Sequence, residues 1–353
     1  MNKIKEVINK IKDLDNKSMQ IAQKKLDFLT KPQGSLGRLE DLAKQLAGIT
    51  GRLNPSLKNK VVFTLAADHG IAEEGVSAFP QEVTAQMVYN FLKGGAGINV
   101  LARHVKARVV VVDMGVKEKL KLQSAKLKIK KIGFGTKNFL KEKAMTRVQA
   151  KQAVLAGVEV FESEFKKGID IIGTGDMGIG NTTSSSAIVA AITASAVSDV
   201  TGRGTGINEK AFKNKVKLIK QALKLHKPDR KDAMDVLSKV GGFEIAGLAG
   251  IILAAAARKV PVVIDGFISG AAALIAYRLC AKVKQYLIAA HCSVEKGHII
   301  ALKFMGLKPL LNLDLRLGEG TGAALAMNIV DASLKIMNEM ATFESAQVTE
   351  KNT

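Results

Sequence analysis

The run Gly173-Thr174-Gly175-Asp176-Met177-Gly178-Ile179-Gly180-Asn181-Thr182-Thr183 gathers glycines, one acid and three short polar side chains. Residues 168–172 before it are apolar and read as a buried strand, and Ser184 to Ala191 after it read as a helix opening. A strand-to-helix turn leaves the first helical N–H groups aimed at one spot, where an anion is favoured. Glycine keeps side chains out of that spot. Asn181, Thr182 and Thr183 add short donors. The segment Gly178, Ile179, Gly180, Asn181, Thr182, Thr183 therefore reads as a phosphate seat.

Other readings of the same run stay open. Gly173, Gly175 and Gly178 satisfy G-x-G-x-x-G, the dinucleotide fingerprint of an NAD(P)-dependent dehydrogenase. Its ribose acid is expected at the end of a second strand about 20 residues on. Asp199 stands there, but after a stretch that reads as a helix end. Gly175 and Gly180 have P-loop spacing, yet Asn181 occupies the lysine's place. A third reading is a tight turn with glycines for helix–sheet packing.

The second chemical candidate is Glu319, in Leu317-Gly318-Glu319-Gly320-Thr321-Gly322 just before a helix. A carboxylate walled by glycines in a partly dry cleft acts as a general base when its pKa is raised. A loop glutamate is otherwise a solvated charge or a helix cap. Asp265 and the pair His291 and Ser293 follow two further apolar runs, which puts them on one edge of a sheet. Thr201 to Gly206 is a second glycine-rich turn, carrying Arg203 and opening a helix with Lys213 and Lys215. Two glycine turns with nearby cations suit one phosphate. Ser77, Phe79, Gln86 and Met87 lie in a loop and helix start that would line a flat aromatic pocket, or simply connect two elements.

These groups need a frame. Val61–Ala67, Ala107–Asp113, 168–172, Lys259–Ile264 and Tyr286–Ala290 read as strands, with a further one near Ile129 in a lysine-rich excursion. Helical patterns separate them. Strand, turn and helix in repetition predict a three-layer, Rossmann-like α/β fold with a parallel sheet. The helical segments at both ends have no strands of their own. They predict a small helical subdomain, 1–55 with 321–345, beside a catalytic α/β domain, 56–320. The polar tail from Ser345 is expected to fray.

Totals narrow the class. The chain has 353 residues with 47% hydrophobic content, enough for a large core. No apolar run is long enough to span a bilayer, and the charged start predicts no signal peptide and a cytoplasmic protein. Cys280 and Cys292 form no disulfide framework, and the five histidines show no metal-binding spacing, so neither metal nor cofactor is expected. The net charge of +21 raises nucleic-acid binding as a rival. Aromatics are 5%, tryptophan is absent, and the lysines are dispersed, so most read as solvated faces.

Five segments taken together carry a resemblance. They are residues 31–37 (Lys31-Pro32-Gln33-Gly34-Ser35-Leu36-Gly37), Ala67-Asp68-His69-Gly70, Gly75-Val76-Ser77, the Gly173–Thr183 run and Gly318-Glu319-Gly320-Thr321-Gly322. In this order, and over essentially the whole length, the chain resembles nicotinate-nucleotide–dimethylbenzimidazole phosphoribosyltransferases, which serve the lower-ligand branch of cobalamin synthesis. The resemblance implies a homodimer that binds nicotinate mononucleotide and a benzimidazole-type base, with no nucleic-acid or membrane partner. It implies Glu319 as general base. Phosphate and ribose contacts fall to Gly178–Thr183, Gly204, Lys215 and Ser293, with Asp265 and Leu317 beside them. Ser77, Gln86 and Met87 fall in the acceptor pocket. A glutamate often occupies the place of Asp176 in that family, and Asp176 is given an auxiliary catalytic role.

Overall fold

The computed structural model describes residues 2–121, 124 and 127–349; residues 122–123 and 125–126 of the lysine-rich excursion and the last four of the polar tail lie outside them. Six strands form one sheet: β1 (Lys60–Ala67), β2 (Ala107–Gly115), β3 (Leu127–Ile129), β4 (Ile171–Met177), β5 (Val262–Ile264) and β6 (Leu287–Ala289). All pairs are parallel, in the order β3-β2-β1-β4-β5-β6. The chain winds outward from β1 on one side and from β4 on the other. The crevice at the carboxyl ends of β1 and β4 is thus the switch point where such sheets bind ligands.

Burial explains the unbroken apolar strands. Along β1, Val61, Phe63, Leu65 and Ala67 face one core and Val62 and Ala66 the other, as a period of two requires. With both faces covered, nothing forces polar residues into the alternation. The first layer is built on helices Arg147–Phe165, Phe243–Ala257 and Phe267–Leu279. Helix Arg147–Phe165 opens with a reciprocal cap, in which Thr146 accepts from the Gln149 N–H and the Gln149 side chain accepts from the Thr146 N–H. Phe243–Ala257 is apolar on every side because every side is packed. The opposite layer holds helices Asn16–Asp27, Arg38–Thr50, Val83–Lys93, Gly97–His104 and Thr321–Glu339. The first helix, Asn2–Asn9, stands apart from these and packs against Phe243–Ala257. No helix among the described residues is long and apolar enough to cross a membrane.

Several boundaries differ from the sequence reading. The first helix stops at Asn9, short of Leu14. Strands β5 and β6 are three residues each. The main difference is β4, which runs on to Met177, so Gly173 and Gly175 lie inside a strand and only Gly178 and Gly180 shape the turn. Those two strand glycines answer to packing. A Cβ on Gly173 would lie 3.0 Å from the Ala323 side chain, and one on Gly175 only 2.2 Å from the carbonyl oxygen of Glu319. Asp199, the candidate ribose acid, is exposed on the short helix Val197–Val200, so the dinucleotide fingerprint loses its second half.

Glycine also sets the tightest helix crossing. A Cβ on Gly157 would fall 1.9 Å from the Gly247 carbonyl, and one on Gly250 2.0 Å from that of Val154. Replacing a helical glycine by alanine ordinarily stabilises by about 1 kcal/mol. Here the neighbour is backbone and cannot yield, and overpacking costs about 1–3 kcal/mol. The steric term wins. Gly157→Ala is expected to lower stability by about 2 kcal/mol in urea unfolding; an unchanged or raised midpoint would show that the two helices can separate cheaply.

Candidate active site

At the end of β4 the chain turns through Gly178 and Gly180, the latter in a left-handed conformation (φ +96°), and enters helix Asn181–Thr193. A side chain on Gly178 would strike the Ala67 carbonyl at 2.3 Å, so the turn lies directly on the end of β1. Beneath it His69 is fully buried. Its Nε2 is 2.7 Å from Glu244 Oε1 and its Nδ1 is 2.9 Å from Ser184 Oγ. Some of the turn's amides are already engaged. The N–H of Ile179 donates to Thr84 Oγ1, that of Asn181 to the Gly178 carbonyl, and that of Thr183 to the Gly180 carbonyl.

Glu319 is brought to this place by three consecutive left-handed residues, Gly318 (φ +81°), Glu319 (φ +64°) and Gly320 (φ +99°). For a residue with a Cβ that conformation costs about 1–2 kcal/mol. Bonds on all sides offset it. The Glu319 N–H donates to the Asp176 carbonyl, and Thr64 Oγ1 donates to the Glu319 carbonyl at 2.9 Å. Asp265, at the end of β5, accepts the N–H of Gly320 on Oδ2 (3.1 Å) and that of Ala323 on Oδ1 (2.9 Å). It thereby caps helix Thr321–Glu339 from outside. The Glu319 carboxyl is almost fully buried, and Oε2 accepts the N–H of Ile98 at 3.0 Å.

A cavity of about 240 Å³ opens beside these turns. Asp176, Gly178, Ile179, Asn181, Thr182, Gly204, Ser293 and Leu317 line it, as the sequence placed them together. Lys215 stands behind the wall, with Nζ donating to Thr182 Oγ1 at 2.8 Å. The second glycine turn is tied down by Glu295, whose Oε1 accepts the Gly204 N–H at 2.8 Å. Ser77 Oγ lies 3.2 Å from Thr205 Oγ1, against the same turn. Gly180, Thr183, Asp265 and Glu319 sit one layer back from the cavity surface, although Gly318, next to Glu319, lines it. Thr183 is wholly buried. Gln86 and Met87 lie on helix Val83–Lys93, Gln86 exposed and Met87 half-buried, and neither lines this cavity.

Seven lining residues escaped the sequence reading as site residues: Met177, Thr205, Gly266, Phe267, Ile268, Glu295 and Arg316. Met177 and Arg316 each stand next to a singled-out position, and Glu295 follows Ser293 by two. Proximity to the motifs was the available signal.

The electrostatics are those of crowded, dry acids. Asp176 is pushed well above the carboxylate range, first by burial and then by the charges of Asp265 and Glu244; the Asn181 amide, donating to Oδ2 at 3.0 Å, opposes this. Asp176 Oδ1 is buried with no hydrogen-bond partner among the described residues. Glu319 is raised by burial, with the Ile98 N–H opposing and Asp265 adding to the rise. Asp265 is raised by burial against the pull of His291 and the amides it caps. Burial brings the Lys215 ammonium down to about 8, opposed by Glu295. Raised carboxyls beside a glycine-lined cavity are the kind of group found at sites of proton transfer.

With the geometry in place, comparison with known proteins is direct. A family model described as phosphoribosyltransferase matches residues 11–348. A nicotinate-nucleotide–dimethylbenzimidazole phosphoribosyltransferase from Roseiflexus sp. (strain RS-1) is 60% identical over 94% of this chain and 93% of its own length. One of the same name from Chloroflexus aggregans is 54% identical over 99% of both chains. A crystal structure of such an enzyme from Thermus thermophilus superposes with a TM-score of 0.91 at 41% identity, covering 96% of this chain and 100% of that one.

The Asp176 environment gives a stability test. A carboxyl whose folded pKa is raised ionises first in the unfolded chain, so the folded state loses relative stability as pH climbs above the unfolded value. Asp176→Asn removes that loss and keeps a partner for Asn181. Thermal melts should show the variant gaining on the parent at pH 7 and losing the advantage near pH 4. A variant equally destabilised at both pH values would mean that Asp176 is not held above its usual range.

Proposed function

The chain belongs to the nicotinate-nucleotide–dimethylbenzimidazole phosphoribosyltransferase family, and from that premise we propose its reaction. It moves the 5-phosphoribosyl group of nicotinate mononucleotide to 5,6-dimethylbenzimidazole or a related base. The products are α-ribazole 5′-phosphate, for the lower ligand of cobalamin, and nicotinate. The observation that carries the mechanism is a buried glutamate fixed in left-handed backbone beside an amide-walled cavity. The dehydrogenase alternative finds no support, since Gly173 and Gly175 serve strand packing.

Nicotinate mononucleotide carries its leaving group as a pyridinium. When the bond from ribose C1 to the ring nitrogen breaks, both electrons go to nitrogen and the ring nitrogen is left neutral. The phosphate is assigned to the Gly178–Thr182 turn, with Lys215 behind Thr182, Gly204 opposite, and Ser293 toward the ribose. Holding that end fixed places C1 for attack, which is catalysis by positioning. The unprotonated ring nitrogen of the acceptor attacks from the other face, inverting C1, and the acceptor's other ring nitrogen gives up its proton. Glu319, raised toward neutral by burial, receives it. Asp176, with Oδ1 unpaired at the cavity wall, faces the ribose as positive charge develops there. The acceptor falls on the side of helices Val83–Lys93 and Gly97–His104, with Ser77, Gln86 and Met87 contributing.

The same reading takes the enzyme as a cytoplasmic homodimer, with the exposed Leu317 and Val100 side chains beside the Glu319 turn in or near the subunit contact. It takes 1–55 with 321–345 as a helical subdomain, supported by helix Arg38–Thr50 packing on Thr321–Glu339 and by the Leu29–Thr342 bridge, while the first helix packs instead on Phe243–Ala257.

Glu319→Gln keeps the shape and the Ile98 bond while removing the base. Its turnover should fall about 10²–10⁴-fold with nucleotide binding retained. Product mass spectrometry and calorimetric binding read the two separately, and near-parental turnover would remove Glu319 from the mechanism.

A further inference from the structure

This inference rests on the proposed reaction, whose donor carries two separate anionic groups, a phosphate and a ring carboxylate. The phosphate has its partners in the glycine turn and Lys215. The carboxylate has none among them. Of the two acidic residues lining the cavity, Asp176 and Glu295, neither offers it a cation.

Among the described residues Arg316 is the single arginine or lysine lining that cavity. It is exposed at the mouth, next to Leu317, and one guanidinium nitrogen donates to the Gly204 carbonyl at 3.2 Å. No acid pairs with it among the described residues. A guanidinium has five N–H donors in a planar fork suited to carboxylates, so most of its capacity is uncommitted. Phe79, Phe267 and Ile268 supply apolar wall around the same space, as a flat ring requires.

We infer that Arg316 receives the carboxylate of the donor's pyridine ring and makes the enzyme select the acid mononucleotide over its amide counterpart. The contact also strengthens along the reaction. In the bound donor the ring's positive nitrogen partly offsets the carboxylate. Once the C1–N bond has released its electrons to nitrogen, the carboxylate is a bare anion, and the arginine holds it more tightly. An interaction that grows toward the transition state raises kcat as well as affinity. The amide donor leaves as a neutral molecule and gains nothing from Arg316.

The test uses the full chain and its Arg316→Gln and Arg316→Lys variants. Each is assayed with nicotinate mononucleotide and with nicotinamide mononucleotide at constant acceptor, and binding of both is measured by calorimetry. Arg316→Gln should lose about 10- to 100-fold in kcat/KM with nicotinate mononucleotide, the range for a hydrogen bond to a charged group. With the amide, binding and any turnover should hold within about 3-fold, well below that range. Arg316→Lys should recover part of the loss. Equal losses with both donors would overturn the inference, because the arginine would then serve the shared phosphate or merely steady Gly204. No loss with either donor would also overturn it. If the parent chain binds the acid donor selectively through Arg316 but releases no ribotide, the transfer reaction fails and the carboxylate contact stands. A parent that binds neither donor sinks both.

Discussion

A carboxylate on one strand holds the N-terminus of a helix from another part of the chain, and the site depends on that strut. Asp265 gives one oxygen to the Gly320 N–H and the other to that of Ala323. A buried acid is costly unless its oxygens are hydrogen-bonded, and the open amides at a helix start are suitable partners. The pairing satisfies both sides. It also fixes helix Thr321–Glu339 against the ends of β4 and β5. The left-handed turn before that helix is then held between Asp265 on one side and the Asp176 carbonyl on the other. Glu319 is positioned by its main chain, and its carboxylate needs only the Ile98 amide to set its direction.

That strut works only because the backbones come very close. Gly175 in β4 lies so near the Glu319 peptide that no side chain fits between them, and Gly320 is similarly pressed against Val62 and the Thr174 carbonyl. Gly322 leaves room for the His291 ring, which a Cβ there would meet at 2.1 Å. Close-packed interiors transmit strain rather than absorb it. The cost of about 1–2 kcal/mol for left-handed Glu319 is therefore carried by a rigid neighbourhood and not by a mobile loop. Stiffness of this kind is what a reaction that works by positioning asks of its scaffold.

The sequence made the parallel α/β frame legible because strands buried on both faces read as continuous apolar runs. It pointed to Glu319 because an acid between two glycines at a helix start has few ordinary uses. It put Gly173 and Gly175 in the turn rather than in the strand, and left their role open between ligand and packing, for an equally physical reason. A glycine demanded by a turn and a glycine demanded by a neighbour pressing on a strand look identical along the chain. Only the fold tells them apart, here through Ala323 and the Glu319 carbonyl. Asp265 was placed correctly at a strand end, but its engagement with main-chain amides depends on a helix more than fifty residues away. Arg316 and Glu295 carry no pattern beyond their nearness to Leu317 and Ser293. They reach the cavity through loops whose course the periodicity of strands and helices does not determine.

The charge distribution runs opposite to the total. The chain carries a net +21, yet Asp176, Asp265, Glu244 and Glu319 are gathered, buried, around one crevice. Surface lysines are screened within about 10 Å at moderate salt, so they do little to relieve that crowding. Burial raises Asp176 and Glu319 first, and the charge of Asp265 adds to both. A basic exterior draws anionic substrates toward the protein, and the acidic interior then decides where positive charge can reside once they arrive. In the proposed reaction the ring nitrogen loses its positive charge as the bond breaks, charge develops on the ribose beside Asp176, and the proton of the incoming base passes to Glu319. On the proposed mechanism two carboxyls raised first by burial take different parts, one facing a transient cation and the other accepting a proton, because one belongs to a residue lining the cavity and the other is tethered to an amide behind it.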